Sequence, residues 1–327
     1  METDKIKIIF FGTPEFSIPA FQLLIKNGYQ IIAAVTAPDK PFGRRKISTP
    51  PPVKVLARQN SIPVFQPVSL KRDAEFLQKF KELKPDLCVI VAYGKIIPKD
   101  YLGLPQYGFV NIHPSLLPKY RGPSPIQSAI LNGEKETGVT IMLADEEVDH
   151  GPILAKREFS IFNFQFSNRK ELEKKLAELG AKLLIETLPG YLNSVVEPKP
   201  QNHSEATFTK MFSREDGKIS WPQTAEQIYN QIRALNPEPG TWTTWNGRIL
   251  NILNAEPPYK VRPCRVCRSN DLDYLLPGKI QIVNNQIAIQ TSKCYLVIKS
   301  LQLEGGKEMD AKSFLRGHPD FASSRLE

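Results

Sequence analysis

Through its first half the chain alternates short, almost wholly apolar runs with amphipathic stretches of helical period, and few folds accommodate that pattern. The runs "KIKIIFFG", "QIIAAVTAP", "IPVFQP", "DLCVIVAYG", "GFVNIHP", "TGVTIMLAD" and "GPILAKREFSI" read as strands. Between them "IPAFQLLIKNG" (closed by Gly28), "PVKVLARQN", "AEFLQKFKELK" and "SPIQSAILNG" read as helices. A strand such as "DLCVIVAYG", with almost no polar interruption, is expected where helices cover both faces of a sheet. The reading is an α/β fold with a mostly parallel sheet. A long amphipathic helix, "RKELEKKLAELGAKLLIETLPGYL", closes this domain, taken as residues 1–192.

The character then changes. Residues 193–208 are polar, carry two prolines and lack a period, so they read as a linker. From 209 to 327 a helix, "TAEQIYNQIRAL", precedes "GTWTTWNGRILNILNA", "GKIQIVNNQIAIQT" and "CYLVIKSLQLEGG". These stretches are rich in β-branched and aromatic residues and contain the turn pairs Asn246-Gly247 and Asn284-Asn285. A small antiparallel barrel is expected. The first strand ends in "FGTPEF" rather than G-x-G-x-x-G, so the chain lacks the glycine fingerprint of dinucleotide binding.

The most unusual local stretch is "GFVNIHPSLLPKYRGPSPIQ", Gly108 to Gln127. Asn111 and His113 are two apart at the end of a strand, which places both side chains on one face of an extended chain. In a parallel sheet, ligands sit beyond the carboxyl ends of strands. An amide can donate to an oxyanion, and an imidazole can carry a proton near neutral pH. The prolines that follow cannot continue a ladder and make a stiff wall, "PSLLP", suited to a flat heterocycle. One strand later, "LADEEVDHGPIL" offers Asp145, Glu146, Glu147 and Asp149 in a turn before Gly151. A carboxylate returned from there to His113 would orient it and accept a proton from a nucleophile. Taken alone, Asn111 and His113 also fit two satisfied strand-end side chains; the stiff loop and the acidic turn favour chemistry.

Charge enters the argument through its location. Of the net +9, a concentrated part lies in Thr36–Lys54, where Lys40, Arg44, Arg45, Lys46 and Lys54 face Asp39 alone. Such a loop fits either plain solvation or a polyanionic partner. A second basic segment, Pro257–Asn270, contains Cys264-x-x-Cys267. That is half of a zinc knuckle, and no second ligand pair follows at suitable spacing, so no metal is expected. Cys88 sits in an apolar run and reads as core. No run approaches the ~18–20 apolar residues of a membrane span. The start, "METDKIKIIFFG", lacks a signal-peptide core, so a cytoplasmic protein without membrane attachment is expected.

"NIHPSLLPKYRGPSPIQ", followed by "ETGVTIMLADEEVDHGPIL", closely resembles the folate-dependent formyltransferases, whose Asn-x-His, S-L-L-P and Asp-x-Gly elements it matches in order and spacing. "FFGTPEFSIPAFQLL", "TAPDKPFGRRK", "PPVKVLA" and "ISWPQTAEQIYNQIRALNPEPGTWT" extend the resemblance end to end, towards the branch that acts on initiator Met-tRNA. The resemblance implies a Rossmann-like formyltransferase domain and a C-terminal OB-like domain that binds tRNA. It implies transfer of the formyl group of 10-formyltetrahydrofolate to the α-amine of methionine on initiator tRNA, for translation initiation, by a monomer without metal. Carried over by motif, Asn111, His113 and Asp149 are catalytic, and Ser115, Leu116, Leu117 and Pro118 form part of the folate site. A tRNA-contacting arginine follows the loop glycine, here Gly43, which assigns Arg44, with Arg45 and Lys46, to tRNA binding.

Two positions depart from the common pattern. Pro114 stands where many tRNA-acting members carry Gly, and His150 follows Asp149 and reads as a supporting or solvent-facing residue. The alternative activity is a nucleotide-sugar N-formyltransferase, which shares the catalytic set; the cationic loop favours tRNA.

Overall fold

A computed structural model describes residues 6–42, 47–161, 168–258, 276–283 and 286–327. Arg44, Arg45 and Lys46 lie outside the described residues, as do Cys264, Cys267 and the pair Asn284-Asn285. The chain divides into two compact units: Met1–Pro125, Glu136–Ser160 and Leu172–Lys210 form one, and Ile126–Lys135, Ile161–Glu171 and Met211–Glu327 the other.

The first unit is built on a seven-stranded sheet. In chain order its strands are β1 (Lys7–Gly12), β2 (Gln30–Val35), β5 (Val64–Phe65), β6 (Leu87–Val91), β7 (Phe109–His113), β8 (Glu136–Leu143) and β9 (Ile153–Ser160). They lie in the order β5-β2-β1-β6-β7-β8-β9. The first five in that order are parallel, and β8 and β9 add an antiparallel edge. A short turn joins β8 to β9, and only antiparallel neighbours can be joined that way. Between β2 and β5 a two-stranded hairpin, β3 (Lys40–Phe42) with β4 (Ile47–Thr49), stands where the sequence reading expects an irregular loop.

Helices α1 (Ile18–Lys26), α2 (Pro52–Gln59), α3 (Ala74–Leu83) and the single turn α4 (Lys99–Leu102) connect the parallel strands. α5 (Pro125–Leu131) follows β7, and α6 (Arg169–Leu192) follows β9. The apolar runs are explained by cover on both faces. Phe10 stacks on Phe21 of α1 at 4.5 Å, while the next residue, Phe11, meets Tyr93 at 5.3 Å and Phe109 at 5.6 Å. Ile8 to Phe11 are wholly buried. Cys88 is also fully buried, as its run implies, and burial pushes its thiol well above the ordinary range.

Residues 193–208 do not run free as a linker would. Lys199 exchanges backbone hydrogen bonds with Ile153 at 2.7 and 2.8 Å. Thr207 O accepts from Arg121 N at 2.8 Å, and Thr209 N donates to Arg121 O at 2.8 Å.

In the second unit α7 (Ala225–Leu235) opens with a capping box between Thr224 and Gln227. The remaining strands are β10 (Trp242–Trp245), β11 (Arg248–Ala255), β12 (Ile280–Val283), β13 (Gln286–Gln290), β14 (Tyr295–Leu303) and β15 (Met309–Asp310). They form an antiparallel sheet in the order β10-β11-β14-β13-β12, with β15 on β14. Asn246 (φ 50°) and Gly247 (φ 72°) make the two-residue turn between β10 and β11, the conformation that this pair favours. α8 (Ala311–Gly317) supplies Phe314, which packs with Phe321 against Trp245 at ring distances of 5.9 and 5.1 Å. The architecture is a Rossmann-like, parallel-rich sheet in one unit and an OB-like antiparallel half-barrel in the other. No helix among the described residues is long and apolar enough to cross a membrane.

Candidate active site

β7 ends with Asn111 half-buried and His113 buried, and pairing with β8 sets His113 opposite Thr140. Asp149 belongs to the turn between β8 and β9 and adopts φ 51°. The turn returns its carboxylate to the end of β7. Asn111 Nδ2 lies 3.4 Å from Asp149 Oδ1, and His113 Nδ1 lies 3.5 Å from the same oxygen. Gly122 N–H donates to the other oxygen, Oδ2, at 2.8 Å. Asn111 and His113, the two side chains expected from the sequence to act with a carboxylate, thus both lie against that of Asp149. His113 Nε2 is 2.9 Å from the Tyr120 carbonyl, so that nitrogen donates. Nδ1 can donate to Asp149 only in the imidazolium form.

The stiff stretch after His113 is fastened by its own polar groups. Ser115 Oγ–H donates to Lys119 O at 2.6 Å. Thr140 Oγ1 donates to Ser115 O at 2.7 Å and accepts from Leu117 N at 3.1 Å. Lys156 Nζ donates to Leu117 O. Ser115 and Leu117 are therefore buried within the protein, whereas Leu116 and Pro118 are half-buried. Leu116 packs over Gly138, where a Cβ would come within 2.5 Å of it.

His150 turns to Asp145, with Nδ1 2.6 Å from Oδ2, and its ring stacks on His203 at 4.1 Å. The sequence reading passed over two side chains in this region. Arg121, 3% exposed, donates from Nε and Nη2 to Gln201 Oε1 at 3.2 and 2.7 Å, and from Nη2 to His203 Nδ1 at 2.8 Å. Gln201 Nε2 donates to the carbonyls of Asp149 and Gly151 at 2.9 and 2.8 Å. Arg121 was visible inside the motif stretch; Gln201 had no local signal.

The hairpin of β3 and β4 is anchored at its base. Lys54 Nζ donates to both Asp39 oxygens, at 2.7 and 2.8 Å, and to Gln66 Oε1 at 2.7 Å. The hydrogen bonds from Lys54, and then from Gln66, hold the Asp39 carboxyl below the usual carboxylate range. Lys54, counted with the cationic loop in the sequence, is thus a buried partner of Asp39 and not a free charge. Among the described residues, no group of three or more His, Cys, Asp or Glu is arranged to hold a metal ion.

Residues 5–188 match the formyl transferase family, and residues 211–319 match the family of the formyl transferase C-terminal domain. The chain belongs to the formyl transferase family. This formyl transferase is 43% identical over 313 residues to the methionyl-tRNA formyltransferase of Desulforamulus reducens, covering 95% of each chain. It is 42% identical to that of Bacillus pumilus, covering 95% of this chain and 94% of the relative. In fold it is similar to the methionyl-tRNA formyltransferase from Clostridium thermocellum (TM-score 0.54, 20% identity), over 78% of this chain and 95% of the other. It is also similar to the N-formyltransferase from Helicobacter canadensis in complex with folinic acid and dTDP-3-aminofucose (TM-score 0.63, 20% identity), over 93% and 100% of the two chains. The two matched regions of this formyl transferase leave an interval between 188 and 211, which holds Gln201, Thr207 and Thr209.

Proposed function

We infer that the chain transfers the formyl group of 10-formyltetrahydrofolate to the α-amine of methionine on initiator Met-tRNA, as a cytoplasmic monomer serving translation initiation. The observation that carries the chemistry is the convergence of Asn111 and His113 on one oxygen of Asp149. The full-length relatives named for that activity support the choice of acceptor. In this reading the first unit, which takes in residues 193–208, carries the catalysis, and the C-terminal unit binds tRNA.

The amine nitrogen attacks the formyl carbon, a C–N bond forms and the carbonyl oxygen becomes an oxyanion. Asn111 supplies an amide N–H to that oxyanion. His113 supplies Nε2–H, exchanging the Tyr120 carbonyl for the new acceptor. Asp149 holds His113 through Nδ1 and takes the proton that the amine sheds. The tetrahedral centre collapses, the bond to the folate nitrogen breaks and that nitrogen takes up the proton that Asp149 accepted from the amine. Ser115 and Leu117 shape the folate wall from inside, and Leu116 and Pro118 present its surface. Arg44, Arg45 and Lys46 contact the tRNA.

Formylation assays offering Met-tRNA, glycinamide ribonucleotide and an amino-sugar nucleotide in parallel test the acceptor; preference for either small molecule overturns it. His113→Ala and Asp149→Ala should each lower the rate by about 10²–10⁴ while folate binding survives. Wild-type turnover in either variant removes that residue from the mechanism.

A further inference from the structure

We propose that Gln201 is a positioning residue for formyl transfer, which aims the Asp149 carboxylate by holding the backbone on both sides of His150. The inference rests on the catalytic assignment of Asp149 made above. Gln201 is 6% exposed, and its carboxamide is saturated. Nε2 gives one hydrogen to Asp149 O and one to Gly151 O, while Oε1 accepts twice from Arg121. The orientation of the amide is chemically unambiguous: the guanidinium only donates and the two carbonyls only accept.

Asp149 needs such a support. Its φ of 51° lies in the left-handed region, a conformation that residues with a side chain seldom adopt and that the surroundings must hold in place. The support also closes a ring. Gln201 grips the main chain of Asp149, Arg121 grips Gln201, and the residue after Arg121 is Gly122, whose N–H binds Asp149 Oδ2. Backbone and carboxylate of Asp149 are therefore fixed against the same neighbour. The main chain of Arg121 is in turn paired with Thr207 and Thr209, and that of Lys199 with Ile153, so 199–209 acts as a strap tied at both ends to the residues around the Asp149 turn. The strap falls in the interval that neither matched domain family covers.

Gln201→Glu isolates this role. It keeps the shape and the acceptors facing Arg121 but removes both donors to the carbonyls. At saturating Met-tRNA and folate, kcat should fall on the order of 10²-fold, as for a small misplacement of a reacting group. The Kd for 10-formyltetrahydrofolate should stay within about twofold of wild type, the scatter of independent sites. Gln201→Met, which removes the bonds without adding a charge, should lower kcat likewise and guards against misfolding of the first variant. In an Asp149→Ala background, single-turnover rates should change by no more than about twofold on adding Gln201→Glu, because groups acting as a unit are non-additive. A merely structural role would impose the same loss in both backgrounds, and that outcome overturns the proposal, as does wild-type kcat in both Gln201 variants. Full activity in Asp149→Ala alone overturns instead the catalytic assignment, and the proposal with it.

Discussion

A Cβ on Gly151 would lie 2.0 Å from the Leu143 carbonyl oxygen, closer than any real contact. The glycine of the Asp-x-Gly element thus lets the turn after β8 fold back tightly enough to return Asp149 to β7. Gly151→Ala is expected to destabilise the protein by roughly 1–3 kcal/mol, the range for overpacking, and to lower kcat as well. Urea unfolding and a formylation assay check the two effects. The shared face of Asn111 and His113 was legible from local rules, whereas the choice of Asp149 among Asp145, Glu146, Glu147 and Asp149 came only from the family resemblance. Strand alternation puts the first two on one face, and a turn after the next strand brings back the carboxylate. The contact between Arg121 and Gln201 was not legible. The bonds from Gln201 reach carbonyls 52 and 50 residues away, and no local pattern encodes which distant carbonyl a glutamine will find.

The hairpin of β3 and β4 shows the same contrast between local and distant information. The sequence offered only a cationic loop there; the pairing of Lys40 with Thr49 goes with an anchor formed elsewhere, by Lys54 of α2 and Gln66 beyond β5. Asp39 has a depressed folded pKa, so the contribution of this anchor is present above the ordinary carboxylate value of about 4. It is lost as pH falls through the depressed value. An NMR titration of the Asp39 carboxyl should show that low midpoint, and Lys54→Met should move it back up. The residues between the strands include Arg44 and Arg45. If each neutralises one phosphate, Arg44→Ala or Arg45→Ala should reduce the salt slope of tRNA binding by roughly 1 while folate affinity holds. An unchanged slope with unchanged kinetics in the double variant would remove the hairpin from tRNA recognition.

Across the whole chain, the switch from strand–helix alternation to β-branched, turn-punctuated sequence marked the two architectures correctly, because each period belongs to one kind of layer. A polar, proline-bearing composition argued for a free connection at 193–208, but composition does not report that Lys199 and Thr207 have backbone partners in the first unit. The reaction as derived uses an amine nucleophile, an amide, an imidazole and a carboxylate. Exhaustive chelation should therefore leave turnover unchanged, and stoichiometric zinc lost in Cys264→Ser would locate any bound ion in the C-terminal region. The strap also bears on the order in which activity is acquired. Synthesis runs from the N-terminus, and domains commonly begin to fold before the chain is finished. A nascent chain that has reached residue 192 already carries Asn111, His113 and Asp149 in sequence, yet lacks the glutamine that fixes the Asp149 turn. If Gln201 positions Asp149 as proposed, catalytic competence waits until the segment around residue 201 has been made and has taken its place in the first unit.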